Sequence, residues 1–214
     1  MLFRDRADAG RQLAYLLSEY AGRTDVVVLG LPRGGVAVAD EIARLLDAPL
    51  DVFLARKLGV PGHEELAFGA VALPDVRVIN DEVVQQVQLL PEVIEEVAAR
   101  ERALLEAHHA LYRAARPPPE LRERIAILVD DGLATGATMR AAVQAVRAQQ
   151  PLLIMVAVPV GAPTACAALH NEADRVICAA MPDPFRAVGW WYEDFHQTDD
   201  AEVQRILHAA MQRA

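Results

Sequence analysis

Residues Ile127 to Met139 read ILVDDGLATGATM, and this stretch decides the fold. Ala126, Ile127, Leu128 and Val129 are apolar without alternation, the pattern of a strand buried on both faces inside a parallel sheet. Two carboxylates, Asp130 and Asp131, stand where that strand should end. Gly132 and the small residues Ala134, Thr135, Gly136, Ala137 and Thr138 follow, and then MRAAVQAVRAQQ, a segment of strong helix propensity with Thr138 as its expected N-cap. A small-residue turn feeding a helix start leaves backbone N–H groups pointing outward, which is a seat for a phosphate. Two aspartates beside such a seat repel a bare phosphate. The ligand that resolves the conflict carries a phosphate at one end and, one sugar away, hydroxyls or a metal ion for the carboxylates. The bland alternative is an ordinary strand–turn–helix with two solvated aspartates at a sheet edge.

The same strand–loop–helix unit occurs earlier. Val26 to Leu31 (VVVLGL) is a second buried-type strand, followed by Pro32, Arg33, Gly34 and Gly35 and then a helical VAVADEIARLL. A Gly pair lets a backbone approach an anion closely, and Arg33 supplies charge. Leu50 to Ala55 reads as a third strand, ending in Arg56 and Lys57. Among the 21 basic residues Lys57 is the one lysine, a compact ammonium in a chain that otherwise uses guanidinium. Three strands thus bring charged groups to one edge of an open sheet, the usual address of a site in such folds.

Composition narrows the class. The 214 residues are 53% hydrophobic, with mean hydropathy +0.16, enough to bury the core of one large α/β domain. No run approaches the roughly 18 apolar residues of a membrane span, and Met1 to Gly10 is charged, so a soluble cytoplasmic protein without membrane contact is expected. The net charge of −9 argues against nucleic acid as a partner. Cys166 and Cys178 lack C-x-x-C spacing and read as reduced, buried thiols. The six histidines show no metal-ligand spacing, and His108 and His109 should point to different sides of a helix.

The interval from Gly132 to Gly136 fits neither G-x-G-x-x-G nor G-x-x-x-x-G-K-[ST]. Residues 127–139 resemble instead the ribose-phosphate signature of the type I phosphoribosyltransferases: apolar strand, two acids, and a small-residue loop ending T-G-x-T. The resemblance implies a parallel open sheet flanked by helices, phosphoribosyl pyrophosphate (PRPP) and Mg²⁺ as ligands, and transfer of phosphoribose to a small acceptor, a nitrogenous base, with release of pyrophosphate. It implies that Asp130 and Asp131 hold the ribose hydroxyls and, directly or through water, the metal. Residues Gly132 and Ala134 to Thr138 would seat the 5′-phosphate; Arg33, Gly34, Gly35, Lys57 and Arg56 would face the pyrophosphate. The Pro32–Arg33 peptide would be cis. The family's lid would fall near Gly59–Val71, read here as a mobile loop whose His63, Glu64 and Glu65 are solvated surface. Phe185 and Trp190, in a tail that also holds Trp191, Tyr192 and Phe195, would be candidates to stack on the acceptor base. The resembled family does not account for residues 74–119, an apolar helical stripe interrupted at Pro91 and ending in Pro117, Pro118 and Pro119; this insertion within a single 1–214 domain would be a hood or a homodimerisation arm. A sensor that binds PRPP or a nucleotide without turnover is the rival reading, because it keeps the loops but needs no lid.

Overall fold

The computed structural model describes residues 3–73, 75–113 and 118–213; Pro74 and Pro117, and the side chains of Glu65 and Arg113, lie outside the described residues. Five parallel strands form the central sheet in the order β2-β1-β6-β7-β8: β1 (Val26–Gly30), β2 (Leu50–Val52), β6 (Ile125–Val129), β7 (Leu153–Val160) and β8 (Arg175–Ala180). Helices α1 (Arg6–Leu16), α2 (Gly34–Leu46) and α7 (Asp200–Met211) share one core with Val26, Val28, Ile125, Ile127 and Val129. Helices α5 (Ala137–Arg147) and α6 (Pro163–Leu169) share the other with Val27, Leu29, Ala126 and Leu128. Alternate residues of one strand therefore enter opposite cores, which is why β1 and β6 are apolar throughout.

A second, antiparallel sheet, β3-β4-β5, stands beside the first: β3 (Ala55–Val60), β4 (His63–Ala72) and β5 (Val76–Ile79). This corrects two expectations. The strand beginning at Leu50 ends at Val52, and Arg56 and Lys57 belong to β3 rather than to the central sheet's edge. The stretch Gly59–Val71 is chiefly strand, not a loop. Its glycines mark close backbone approach: a Cβ on Gly69 would come within 2.2 Å of the Val78 carbonyl oxygen, and one on Gly59 within 2.7 Å of that of Glu64 beside a register shift.

Helix α3 (Asp81–Gln86) and the 23-residue α4 (Pro91–Arg113) follow, with Pro91 at the first helical position as its fixed φ favours. Helix α4 lies on one face of the second sheet, held by Arg77–Glu95 (2.8 and 2.9 Å) and Arg56–Glu101 (2.5 Å) as well as by Val97 and Leu105. Helix α5 covers the other face, where Ala55, Ala72 and Val76 join the core of Met139, Ala142 and Val143. His108 and His109 line different cavities, as their adjacent positions on a helix require.

Two local expectations change. Cys166 and Cys178 are joined by a disulfide, Cα to Cα 6.9 Å, because α6 packs directly on the neighbouring strand β8 and brings residues 12 apart face to face. Helix α5 begins at Ala137, with Gly136 as N-cap at φ +73°, so Thr138 is its second residue; the left-handed turn that glycine permits starts the helix earlier than a threonine cap would. The C-terminus of α5 is tied down by Asp174, whose carboxylate takes Arg147 at 2.9 and 3.0 Å and the Ile154 N–H at 2.7 Å. Burial pushes the Asp174 carboxyl up, but Arg147 and the Ile154 N–H outweigh it and hold the group below its ordinary value. Because the folded state binds this proton more weakly than the unfolded chain, the stabilisation is present at neutral pH and fades as pH falls below about 4. Asp174→Asn should lower stability at pH 7 by about 1 kcal/mol, discounted for partial exposure, and the deficit should shrink in acid; denaturant titrations at pH 7 and pH 3.5 check both.

Candidate functional site

The end of β6 carries the acid pair. The Asp130 carboxylate accepts the Asp131 N–H at 2.8 Å, and burial together with the neighbouring Asp131 charge raises its carboxyl well above the usual carboxylate range. Asp131 has a different partner. Arg6, near the start of α1 and only 8% exposed, places Nε and Nη2 each 2.8 Å from Asp131 Oδ2. Its Nη1 donates to the His196 carbonyl at 2.7 Å, and its guanidinium carbon lies 4.0 Å from the Phe195 ring centroid. The Tyr192 hydroxyl donates to the Asp131 carbonyl at 2.6 Å, and burial raises its pKa. The strap carrying these groups is pinned to the N-terminal segment, Phe3 N–H to the Trp191 carbonyl and Glu193 N–H to the Phe3 carbonyl, both at 2.8 Å.

The Pro32–Arg33 peptide is cis, as the resemblance implied. Gly34 and Gly35 open α2 directly against the acid pair. A Cβ on Gly34 would lie 1.9 Å from Asp131 Oδ2 and 2.8 Å from Arg6 Nε; one on Gly35 would lie 2.6 Å from the Val129 carbonyl oxygen and 3.0 Å from Asp130 Oδ1. The glycines therefore admit the positive end of a 13-residue helix to the side of two carboxylates.

Beyond the acids, Gly132 packs against Val188, and Leu133 is stitched to the next strand by its N–H to the Val160 carbonyl (2.9 Å) and by the Ala162 N–H to its own carbonyl (2.8 Å). Ala134, Thr135 and Thr138 are exposed. The Ala137 N–H reaches Thr135 Oγ1 at 3.4 Å, whereas the N–H groups of Thr135, Gly136 and Thr138 have no hydrogen bond to a protein acceptor among the described residues. Such a cluster at a helix start is what an anion requires.

A cavity of 570 Å³ adjoins this turn. Thr138, Arg33 and Arg56 line it together with Leu105, His108 and Tyr112 of α4 and Asp200 of α7. Tyr112 donates a short hydrogen bond to Asp200 Oδ1, and burial followed by that bond raises the phenol's pKa. Arg56 is engaged by Glu101. Lys57 lies on the opposite face of β3 from Arg56, the face of Ala55 that packs on α5. Phe185 is half-buried, while Trp190 is 65% exposed with the Arg186 guanidinium 4.8 Å from its ring centroid; neither lines the cavity.

The sequence did not mark Arg6 and Tyr192 as contacts of Asp131, or Tyr112 and Asp200 as lining of the adjoining cavity. Arg6 lies 125 residues from its carboxylate in an arginine-rich helix start, and no local pattern marks it. Among the described residues no group of three or more histidine, cysteine, aspartate or glutamate side chains forms a metal cage. A site of two carboxylates still fits Mg²⁺, which is commonly held by one or two carboxylates, substrate phosphates and water. Gly34→Ala must displace the Asp131 carboxylate from Arg6, so it should cost about 1 to 3 kcal/mol of stability; denaturant unfolding of the variant beside the unaltered protein checks this.

The Phosphoribosyl transferase domain family profile matches residues 3–189. Two Mycobacterium tuberculosis strains carry a protein named for phosphoribosyl transferases that is 48% identical over 209 residues, 98% of this chain and 47% of the relative. The chain thus spans about half the length of the curated relatives it matches. The crystal structure of the TT1426 protein from Thermus thermophilus superposes with a TM-score of 0.90 at 43% identity, covering 97% of this chain and 98% of that one. The AQ2163 protein of Aquifex aeolicus, at 11% identity and a TM-score of 0.51, shares the fold alone. With its acid pair, its small-residue turn and nearly its whole length matched, the chain belongs to the phosphoribosyl transferase domain family.

Proposed function

We propose that this domain binds PRPP with Mg²⁺ and transfers phosphoribose to a nitrogenous base, releasing pyrophosphate. The observation that carries the proposal is the juxtaposition at the end of β6 of two carboxylates and a turn whose amides are open to an anion. The turn from Ala134 to Thr138 seats the 5′-phosphate, with the Thr135 and Thr138 hydroxyls available beside it. Asp130 and Asp131 hold the 2′ and 3′ hydroxyls and favour the positive charge that develops on the sugar ring. Arg33 at the start of α2 and Lys57 on β3 attract the pyrophosphate, and the Gly34–Gly35 backbone lets it approach. Mg²⁺, when bound, neutralises pyrophosphate charge and aids its departure. The loop after β8, which reaches Gly132 through Val188, keeps Trp190 as a candidate stacking surface for the acceptor. The chain's own contribution is orientation and charge placement rather than a covalent intermediate.

A sensor that binds PRPP without turnover is favoured by one observation: the segment where a lid was anticipated is a hairpin packed between α4 and α5 and tied by Arg56–Glu101. Pyrophosphate release in the presence of PRPP, Mg²⁺ and a panel of nitrogenous bases separates the readings. Release with one base supports transfer, and PRPP binding with no release across the panel supports the sensor. In either case the Asp130→Asn/Asp131→Asn double variant should weaken calorimetric PRPP binding by about 10- to 100-fold, and unchanged affinity removes the carboxylates from the site.

A further inference from the structure

We infer that Arg6 is a positioning residue that fixes the Asp131 carboxylate so that the site distinguishes a sugar with vicinal hydroxyls from one lacking the 2-hydroxyl. The inference rests on the reading of the acid pair as the ribose end of the site. Asp131 Oδ2 is saturated by two Arg6 N–H groups at 2.8 Å, while Gly34 and the Arg6 side chain crowd that same oxygen. The Tyr192 hydroxyl holds the Asp131 backbone from the other side at 2.6 Å. Both the carboxylate and its backbone are therefore held, and Arg6 leaves Oδ1, beside Asp130, as the oxygen to meet a ligand hydroxyl.

Arg6 is itself held in a way that a general surface cation is not. Its third contact is a main-chain carbonyl, that of His196, and one face of its guanidinium lies on Phe195. Planar, bidentate and nine-tenths buried, the group sets an orientation that a flexible ammonium does not. The candidate phosphate seat, in contrast, is the backbone of the loop before α5, and among the described residues it shares no hydrogen bond with these groups. Sugar recognition and phosphate recognition are thus physically separable.

Calorimetric titration with ribose 5-phosphate, 2-deoxyribose 5-phosphate and inorganic phosphate tests this. The unaltered protein should prefer the ribose ligand by about 10- to 100-fold, the range of a charge-assisted hydrogen bond. Arg6→Gln should bring the two sugars within about twofold of each other while phosphate affinity changes by less than about twofold, and Arg6→Lys should restore part of the preference. If Arg6→Gln keeps the preference, the inference fails. It fails equally if both Arg6 variants lose phosphate and both sugars in parallel, since that is the signature of a residue that only holds the fold. An unaltered protein that binds phosphate but treats the two sugars alike overturns the ribose reading itself, a result distinguishable because it needs no variant.

Discussion

Two adjacent carboxylates at the end of a buried strand are unfavourable unless something opposite is brought to them, and much of the surrounding structure is arranged around that constraint. The compensation comes from three directions. Arg6 approaches from α1, the first turn of α2 approaches through Gly34 and Gly35, and the strap from Trp191 to His196 closes behind Arg6. Buried ion pairs are poor general stabilisers, because desolvation offsets attraction, but removing one partner leaves an uncompensated charge. The pair is better understood as fixing geometry at a site than as holding the molecule together. The two apolar cores on either side of the central sheet do the latter.

The parts of this arrangement legible in the sequence are those in which chemistry is contiguous along the chain. The apolar run of β6, its two acids and the small residues before α5 lie within thirteen positions, so their order alone implies strand, ligand groups and helix start. The Pro32–Gly35 loop is legible for the same reason. What escaped is assembled from distant segments. Tyr192 meets Asp131 across 61 residues, and Tyr112 meets Asp200 across 88. The disulfide escaped because a twelve-residue spacing has no motif, although packing of α6 on β8 makes it possible. Gly59–Val71 misled in the other direction: glycine-rich sequence suggests a mobile connection, but here the missing side chains let strands approach closely.

The segment between the second sheet and β6 also takes on a definite place. Helix α4 does not stand away from the body of the protein. Through Leu105 it enters the core, through Glu101 and Glu95 it grips β3 and β5, and through Tyr112 it reaches α7 across the cavity that Arg33 and Thr138 share. Helix α4 therefore forms a wall of the same depression that Arg33 and Thr138 border.

Strand β3 has a further consequence for how this domain tolerates change. Arg56 and Lys57 are neighbours in sequence but emerge on opposite faces, one toward α4 and one toward α5. A slip of a single residue in the pairing of β3 with β4 would exchange them, sending the ammonium to the acidic helix and the guanidinium to the far side. The irregularity at Gly59, just beyond Lys57, and the tight Pro61–Gly62 corner anchor that alignment. Lengthening or shortening the hairpin tip, normally the most permissive kind of edit in a protein, is here equivalent to rewriting which charge faces which partner.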